Sequence, residues 1–418
     1  MALWKSTGNG TLEGISHVAD LDASKLTVTL SETLKPIPPP DTWQFGNIMT
    51  DHMVVAEFDP ETGWSDPEIK PRAPLSLDPA SSCVQYGTTV FEGMKAYVGP
   101  DGKPRLFRPD MNMARLARSA ERMALPPFNT DQVLALIKQL IIVDRRWIPL
   151  LSEHSMYIRP TLMGTRMGLS VAASDHATLC IFLSPTGPYF RSGGKSISVL
   201  AVFDTVRAWP GGTGGHKVAL NYSPGFLPLR TAQKQGYDQI LWLLGDDMKV
   251  TEAGAMNIFI VVKRDDGGKQ STDHKVTFIG VDLFTPPLDG TILPGVTRDS
   301  VLALAEAHTA GEINLPGLQK TSRIHASERT FTMDDLSRWS SDGKLLEAFG
   351  AGTAVIITSI GKIGFKGEDI ILPEHEGGLG PIANAFRTRI LDIQEGKEVW
   401  KNWGVVVDGK TALTKTEV

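Results

Sequence analysis

Only two cysteines, Cys83 and Cys180, occur in 418 residues. Two thiols cannot build a disulfide framework, and each sits in an apolar stretch where a thiol serves as a small core residue, as suits a reducing compartment. Long apolar runs are also missing: none approaches the roughly 20 residues needed to cross a bilayer. Neither sign of charge dominates, since 42 Lys and Arg against 47 Asp and Glu leave −5. No global positive field therefore draws in nucleic acid or an anionic membrane surface. The first arginine is Arg72, while Glu13, Asp20 and Asp22 come early. Residues 1–30 thus lack both a signal peptide's apolar run and the Arg-rich, acid-poor character of a transit peptide. The expectation is a soluble cytoplasmic protein, with a mitochondrial one as the alternative. His-Glu-x-x-His and paired Cys-x-x-Cys patterns are absent, so no metal site has a ligand set. A dinucleotide fingerprint begun at Gly212 would need Gly where Lys217 stands, and the Walker-like Gly194-Lys195-Ser196 has Tyr189 in place of the leading Gly.

What is present is enough apolar sequence, 41% of residues, to bury two or three cores in a chain of this length. Pro36 and the run Pro38-Pro39-Pro40 favour extended backbone, so residues 1–45 read as an arm that packs across another surface. Strands are expected at Met53 to Phe58, Met94 to Val98, Ser155 to Arg159 and Thr178 to Ser184. Among them, one helix starts near Asp110 and carries Met113, Ala117, Ala120 and Ala124 on one face. Another is capped by Thr130 and buries Val133, Leu136, Ile137, Leu140 and Ile141. This makes 46–185 a small α+β domain. The stretch Ser184 to Ser196 has two prolines, three glycines and no apolar period, so 186–198 reads as an interdomain loop. Beyond it, 199–418 forms a larger domain, with strands Ile197 to Phe203, Gln239 to Leu244 and Asn257 to Val262. Its helices are Pro224 to Gln235, Thr297 to Ala307 and Ile382 to Ile393, and Thr332 with Asp335 makes a capping box for a further short one.

Several segments carry possible chemistry. Lys217 follows the densest glycine cluster, Pro210-Gly-Gly-Thr-Gly-Gly-His-Lys217, and precedes small and apolar residues. It reads either as an exposed loop lysine or as a desolvated amine. Keeping a lysine neutral at pH 7 costs about 4.6 kcal/mol, which an imine linkage to a carbonyl cofactor avoids. Glu252, in Lys249-Val-Thr-Glu-Ala-Gly, is either solvated or buried and paired, and a protonated pyridine nitrogen would be a suitable partner. Leu293-Pro-Gly-Val-Thr-Arg298 opens an apolar helix whose free N–H groups favour an anion. Gly350-Ala-Gly-Thr353 offers a small-residue turn with a hydroxyl. Arg108 and Arg159, each before a proline at a strand end, are surface ion-pair partners or grips for carboxylate or phosphate.

Taken in order, Phe45-Gly, Thr50-Asp-His-Met53, Phe91-Glu-Gly-Met-Lys-Ala96, Leu106-Phe-Arg-Pro109, Asn112-Met with Arg115, Tyr157-Ile-Arg-Pro160, Arg207-Ala-Trp209, Lys217 with Asn221-Tyr222, Thr251-Glu with Gly254 and Met-Asn257, Ile292-Leu-Pro-Gly295 and Gly352-Thr353 resemble the branched-chain amino acid aminotransferases. These are fold type IV enzymes dependent on pyridoxal 5′-phosphate (PLP), and the resemblance runs from about Phe45 to about Ser359. It implies an α/β (α+β) two-domain fold whose larger part is a β pseudo-barrel surrounded by helices. It implies that Lys217 links the cofactor, that Glu252 faces the ring nitrogen and that Tyr222 faces the ring's phenolic oxygen. Arg108, Val296, Thr297 and Thr353 would hold the phosphate. Phe45, Tyr86, Phe91, Tyr157, Tyr189, Met256 and Ala354 would surround the substrate, with Arg159 at the rim for the distal carboxylate of glutamate. The implied reaction moves an amino group between leucine, isoleucine or valine and 2-oxoglutarate in two stages, on a homodimer. D-amino acid or amine transamination, lyase chemistry and a non-catalytic binding role are the alternatives. Four departures bear on substrate range rather than cofactor chemistry: Ala255 for a common Thr, Ala219-Leu220 for a smaller pair, His216 for a Tyr, and Val355 and Thr358 where mammalian-type members have Cys-x-x-Cys.

Overall fold

The computed structural model describes residues 18–189, 196–264 and 280–408. The start of the arm and residues 190–195 of the interdomain loop therefore lie outside the described residues. Two sheets organise the rest. The first runs in the order Thr27–Val28, Glu68–Pro71, His52–Asp59, Ala177–Thr186, Ser155–Gly164, Met94–Val98, Pro104–Phe107 and Gly404–Val406. Two short strands, Gly63–Trp64 and Thr89–Phe91, pair off this path. Helices Pro109–Arg122 and Thr130–Val143 pack on it. In the second helix Val133, Leu136, Ile137, Leu140 and Ile141 are all fully buried, as the 3.6-residue period requires. Its cap is Asn129, one residue before Thr130, because the Asn129 side chain accepts from the Asp131 N–H at 2.9 Å. The first helix ends at Arg122, so Ala124 is exposed at φ 50° beyond it, and Leu116 takes the buried place expected of Ala117. The arm lies along this unit: Thr27–Val28 extends the sheet, and Trp43 is buried with its indole N–H on the Pro38 carbonyl.

The second sheet closes on itself. Ile197–Val202, Gln239–Leu244, Lys249–Ala253, Met256–Lys263, Leu345–Gly352 and Ile356–Phe365 pair in a ring, which the short contact of Lys249–Ala253 with Met256–Lys263 completes. Val281–Thr285 and Ile324–Glu328 extend it from the Met256–Lys263 strand. That strand shows why the sequence reads as a continuous apolar run there. Met256, Ile258, Ile260 and Val262 join one cluster fed by all six ring strands, the barrel interior, which helix Met333–Ser341 also joins. Phe259 and Val261, pointing the other way, pack with helices Val296–Ala310 and Pro381–Gln394. Both faces are dry, so no polar alternation is left. The capping box at Thr332 and Asp335 forms.

Two expectations are corrected. Gly350 to Gly352 end a strand, and only the following residues turn, because their partners Ile356 to Thr358 continue the ladder. The span 199–418 does not keep to the second sheet: Gly404–Val406 pairs with Pro104–Phe107 and Val407 enters the first core. The short Gly404-Val-Val segment has no period to reveal this, but an unpaired edge strand offers it a ladder. Among the described residues, no helix is long and apolar enough to cross a membrane, and no group of three or more His, Cys, Asp and Glu could hold a metal ion.

Candidate active site

A cavity of about 760 Å³ lies where the two sheets meet. The glycine loop delivers Lys217 to it. Asn221 donates to the carbonyls of Thr213 and His216, both at 2.8 Å, and Thr213 donates to Asn221 Oδ1 at 2.7 Å, so the loop is tied to the turn that follows it. Lys217 is also stitched to the first unit. Its N–H donates to Ser119 Oγ at 2.9 Å, its carbonyl accepts from the Phe91 N–H at 3.1 Å, and Val218 bridges to Val90. Lys217 Nζ donates to the Tyr222 hydroxyl at 3.1 Å and lies 4.8 Å from the Phe91 ring centroid. An amine so placed has one hydroxyl partner and a ring face beside it.

Glu252 is 2% exposed. It stands opposite Asn257 across the hairpin, and the Asn257 amide and the Leu293 N–H donate to its Oε1 at 2.9 and 3.0 Å. Arg207 Nε meets Oε2 at 2.6 Å. Burial pushes the Glu252 carboxyl above its ordinary value, with Arg207 and the Leu293 N–H opposing it. The tight turn between the two strands needs Gly254, at φ 58°.

Below Glu252 the chain enters helix Val296–Ala310 through Gly295, which provides no side-chain cap. The first N–H groups of a helix have no partner within it, and they carry the positive end of its dipole. Val296 and Thr297 line the cavity at that point, as does Thr353. A Cβ on Gly295 would fall 2.1 Å from Asn257 Oδ1, so the entry needs glycine. Arg108 does not line the cavity but reaches the start of this helix. Its guanidinium bonds Ser300 Oγ at 2.8 Å and Asp299 at 2.6 Å in the first turns and stacks 4.3 Å over Trp403.

The far wall is aromatic. Phe45 meets Tyr157 edge-on at 4.7 Å and Tyr189 at 5.2 Å between centroids. Arg159 stacks over Phe91 at 4.6 Å and donates to the Tyr157 hydroxyl at 3.2 Å. Met256 and Ala354 complete this side, and the substituted positions Ala219, Ala255 and Val355 line it too. Tyr86 is the clear exception. It does not line the cavity of its own chain: it ends helix Ser82–Tyr86, and its hydroxyl donates to the exposed Leu169 carbonyl.

The fold brings four further residues here, Arg207, Asn257, Arg115 and Glu92, whose roles no local pattern in the sequence signals. Arg207 and Asn257 bracket Glu252. Arg115, on the cavity wall, bonds fully buried Glu92 at 2.6 and 2.8 Å and the Pro294 carbonyl at 3.0 Å, tying the first unit to the helix entry. Glu92 and Arg115 lie 23 residues apart, so only the packing of helix on sheet reveals the pair. Burial pulls the Glu92 carboxyl up, but Arg115 and the Asn112 amide outweigh it and hold it below its ordinary value. A depressed acid stabilises the fold fully above its unfolded value of about 4.3, and that contribution fades as pH falls through the folded value. Glu92→Gln is expected to cost about 3 kcal/mol in denaturant unfolding near neutral pH by leaving Arg115 buried and unpaired. The deficit should shrink in acid.

Residues 89–363 match the family described as amino-transferase class IV. The chain is 43% identical over 391 residues to the cytosolic branched-chain-amino-acid aminotransferase of Saccharomyces cerevisiae, covering 93% of this chain and 98% of that one. It is 41% identical over 386 residues to the mitochondrial enzyme of that name from Schizosaccharomyces pombe, covering 92% and 85%. Among solved structures, the branched-chain aminotransferase of Thermoproteus uzoniensis with norvaline superposes at a TM-score of 0.64 with 25% identity, over 85% of this chain and all of that one. A match across both sheets and the cavity between them, with relatives above 40% identical over nine-tenths of its length, makes this chain a member of the class IV aminotransferases, in the branched-chain group.

Proposed function

We propose that the chain transfers the amino group of branched-chain L-amino acids to 2-oxoglutarate, reversibly, with PLP as cofactor. The observation that carries this is one cavity holding an amine at Lys217, a buried carboxylate at Glu252 and an open helix start at Val296. The groups match PLP part by part. Lys217 would hold its carbonyl carbon, Tyr222 its phenolic oxygen, and Glu252 its ring nitrogen. Val296, Thr297 and Thr353 would hold its phosphate, with Arg108 keeping positive charge on the first turns of the same helix. When bound, PLP supplies a carbonyl that takes up the amino group and a ring that withdraws electrons from the substrate's Cα.

The chain's own groups do the rest. Lys217 would take the proton from the substrate's Cα and deliver it two bonds away, past the amino nitrogen, a transfer that needs the amine close and free of a second partner. Tyr222 orients that amine through its hydroxyl. Glu252 would face the ring nitrogen and favour a proton there, and Arg207, at 2.6 Å, opposes the upward pull of burial on its carboxyl. Phe45, Phe91, Tyr157, Tyr189, Met256 and Ala354 exclude water and present an apolar surface to a branched side chain. Arg159, at the same wall, suits the distal carboxylate of glutamate, the one charged side chain the site must also accept. A homodimer is supported by the exposed Met167, Leu169 and Val171, an apolar surface beside Tyr86 that a second copy would cover.

Rates with L-leucine, D-alanine and a primary amine, each with 2-oxoglutarate, test the reading. L-leucine is expected to be preferred by at least about 100-fold in kcat/KM, since a D-centre or a missing carboxylate misplaces Cα–H from Lys217. Preference for either of the others would overturn it.

A further inference from the structure

We propose that Lys95 is a positioning residue for the substrate's carboxylate: its ammonium grips the Ala354 carbonyl and so turns the Val355 N–H into the cavity. The inference rests on the transamination reading. Lys95 is 6% exposed on the Met94–Val98 strand, directly opposite Tyr157, so the two side chains share a face. Its Nζ donates to the Ala354 carbonyl at 2.8 Å, crossing from the first sheet to the turn after Leu345–Gly352. A second cavity, of about 620 Å³, holds Lys95 in its wall. Ala354 and Val355 line both cavities, whereas Lys95 lines only the second, so the turn is the partition between them.

The peptide joining Ala354 to Val355 is trans, and in a trans peptide the C=O and N–H point in opposite directions. A carbonyl drawn toward Lys95 on one side of the partition therefore sends the Val355 N–H toward the other. The positive charge also polarises that peptide and strengthens the N–H as a donor to an anion. An ammonium is costly to bury, and among the described residues the one acceptor this one meets is the Ala354 carbonyl. The charged and titratable groups around it are Arg387, which is bonded to Glu153 at 2.6 Å, and His154 and Asp41 across the second cavity. Burial lowers Lys95 to about 7, and repulsion from Arg387 adds to the shift. As pH rises through that value the ammonium is lost, and the grip on the turn weakens.

The test uses the PLP-loaded protein and 4-methylpentanoate, an unreactive branched carboxylate, with binding measured by calorimetry at about pH 6 and about pH 8.5, on either side of the Lys95 transition. In the wild type, affinity should fall from the lower pH to the higher. Lys95→Met is expected to bind about 10-fold more weakly at the lower pH, the scale of one charge-assisted hydrogen bond, and to lose most of the pH dependence. Lys95→Arg should restore the affinity and hold it at the higher pH, because guanidinium does not titrate there. KM for L-leucine should follow the same pattern with kcat nearly unchanged. Wild-type affinity and pH profile in Lys95→Met would overturn the proposal, as would an equal fall in kcat with loss of bound PLP, the mark of a merely structural role. A wild type with no PLP absorption band would overturn the transamination reading and this proposal with it, a result distinct from a PLP-loaded Lys95→Met that binds 4-methylpentanoate as the wild type does.

Discussion

Lys217→Ala is expected to fold, to lose the visible absorption band that borohydride bleaches, and to lower kcat with L-leucine by at least about 10⁴-fold, the upper range for a positioned proton-transfer group. The fold should survive because Lys217 is held through its backbone, by Ser119 Oγ and the Phe91 N–H, and its side chain contributes one hydroxyl contact. Removing that side chain leaves the loop's own bonds from Asn221 intact. Wild-type unfolding with no band and no turnover would be the signature. An unchanged spectrum would remove Lys217 from the reaction. Added methylamine is expected to restore part of the rate, since the missing group is a small amine in a cavity with room for one.

Glu252→Gln should separate charge from shape. The amide can keep one contact to Arg207 or to the Leu293 N–H, but it can no longer balance a protonated ring nitrogen. Turnover is expected to fall by about 10² to 10³, the scale seen when one preorganised electrostatic contact is removed, while PLP remains bound. Stability should fall as well, by about 3 kcal/mol, because Arg207 is left buried without its counter-charge. These effects can be pulled apart. The double variant Glu252→Gln with Arg207→Met removes the orphaned charge, so it should regain most of the stability and none of the turnover. Recovery of turnover in the double variant would mean that Glu252 serves only to neutralise Arg207.

Much of the site was legible because its chemistry is local. Lys217 with Tyr222 and Glu252 with Asn257 each lie within one turn or hairpin, and the helix start at Gly295 is written in consecutive residues. Tyr86 shows the opposite: its partner, 83 residues away at Leu169, leaves no local trace that would set it apart from the cavity of its own chain. Arg108 reaches the first turns of the Val296–Ala310 helix, and its stacking on Trp403 from the far end of the chain is a contact with no local sequence signal. The returning Gly404–Val406 strand leaves no mark in the sequence because three residues carry no period.

The sequence by itself determined which elements form and which groups are available. Periodicity in Thr130–Val143, the capping box at Thr332, the apolar run of Met256–Lys263 and the ordered motifs all depend on contacts within a few residues, where propensity and spacing act directly. The tertiary structure alone decided which charges meet. Arg207 reaches Glu252, Arg115 reaches Glu92, and Lys95 reaches Ala354 across 259 residues of chain. A buried charge must find its partner wherever the packing of two sheets places it, and no periodicity along the chain encodes that distance.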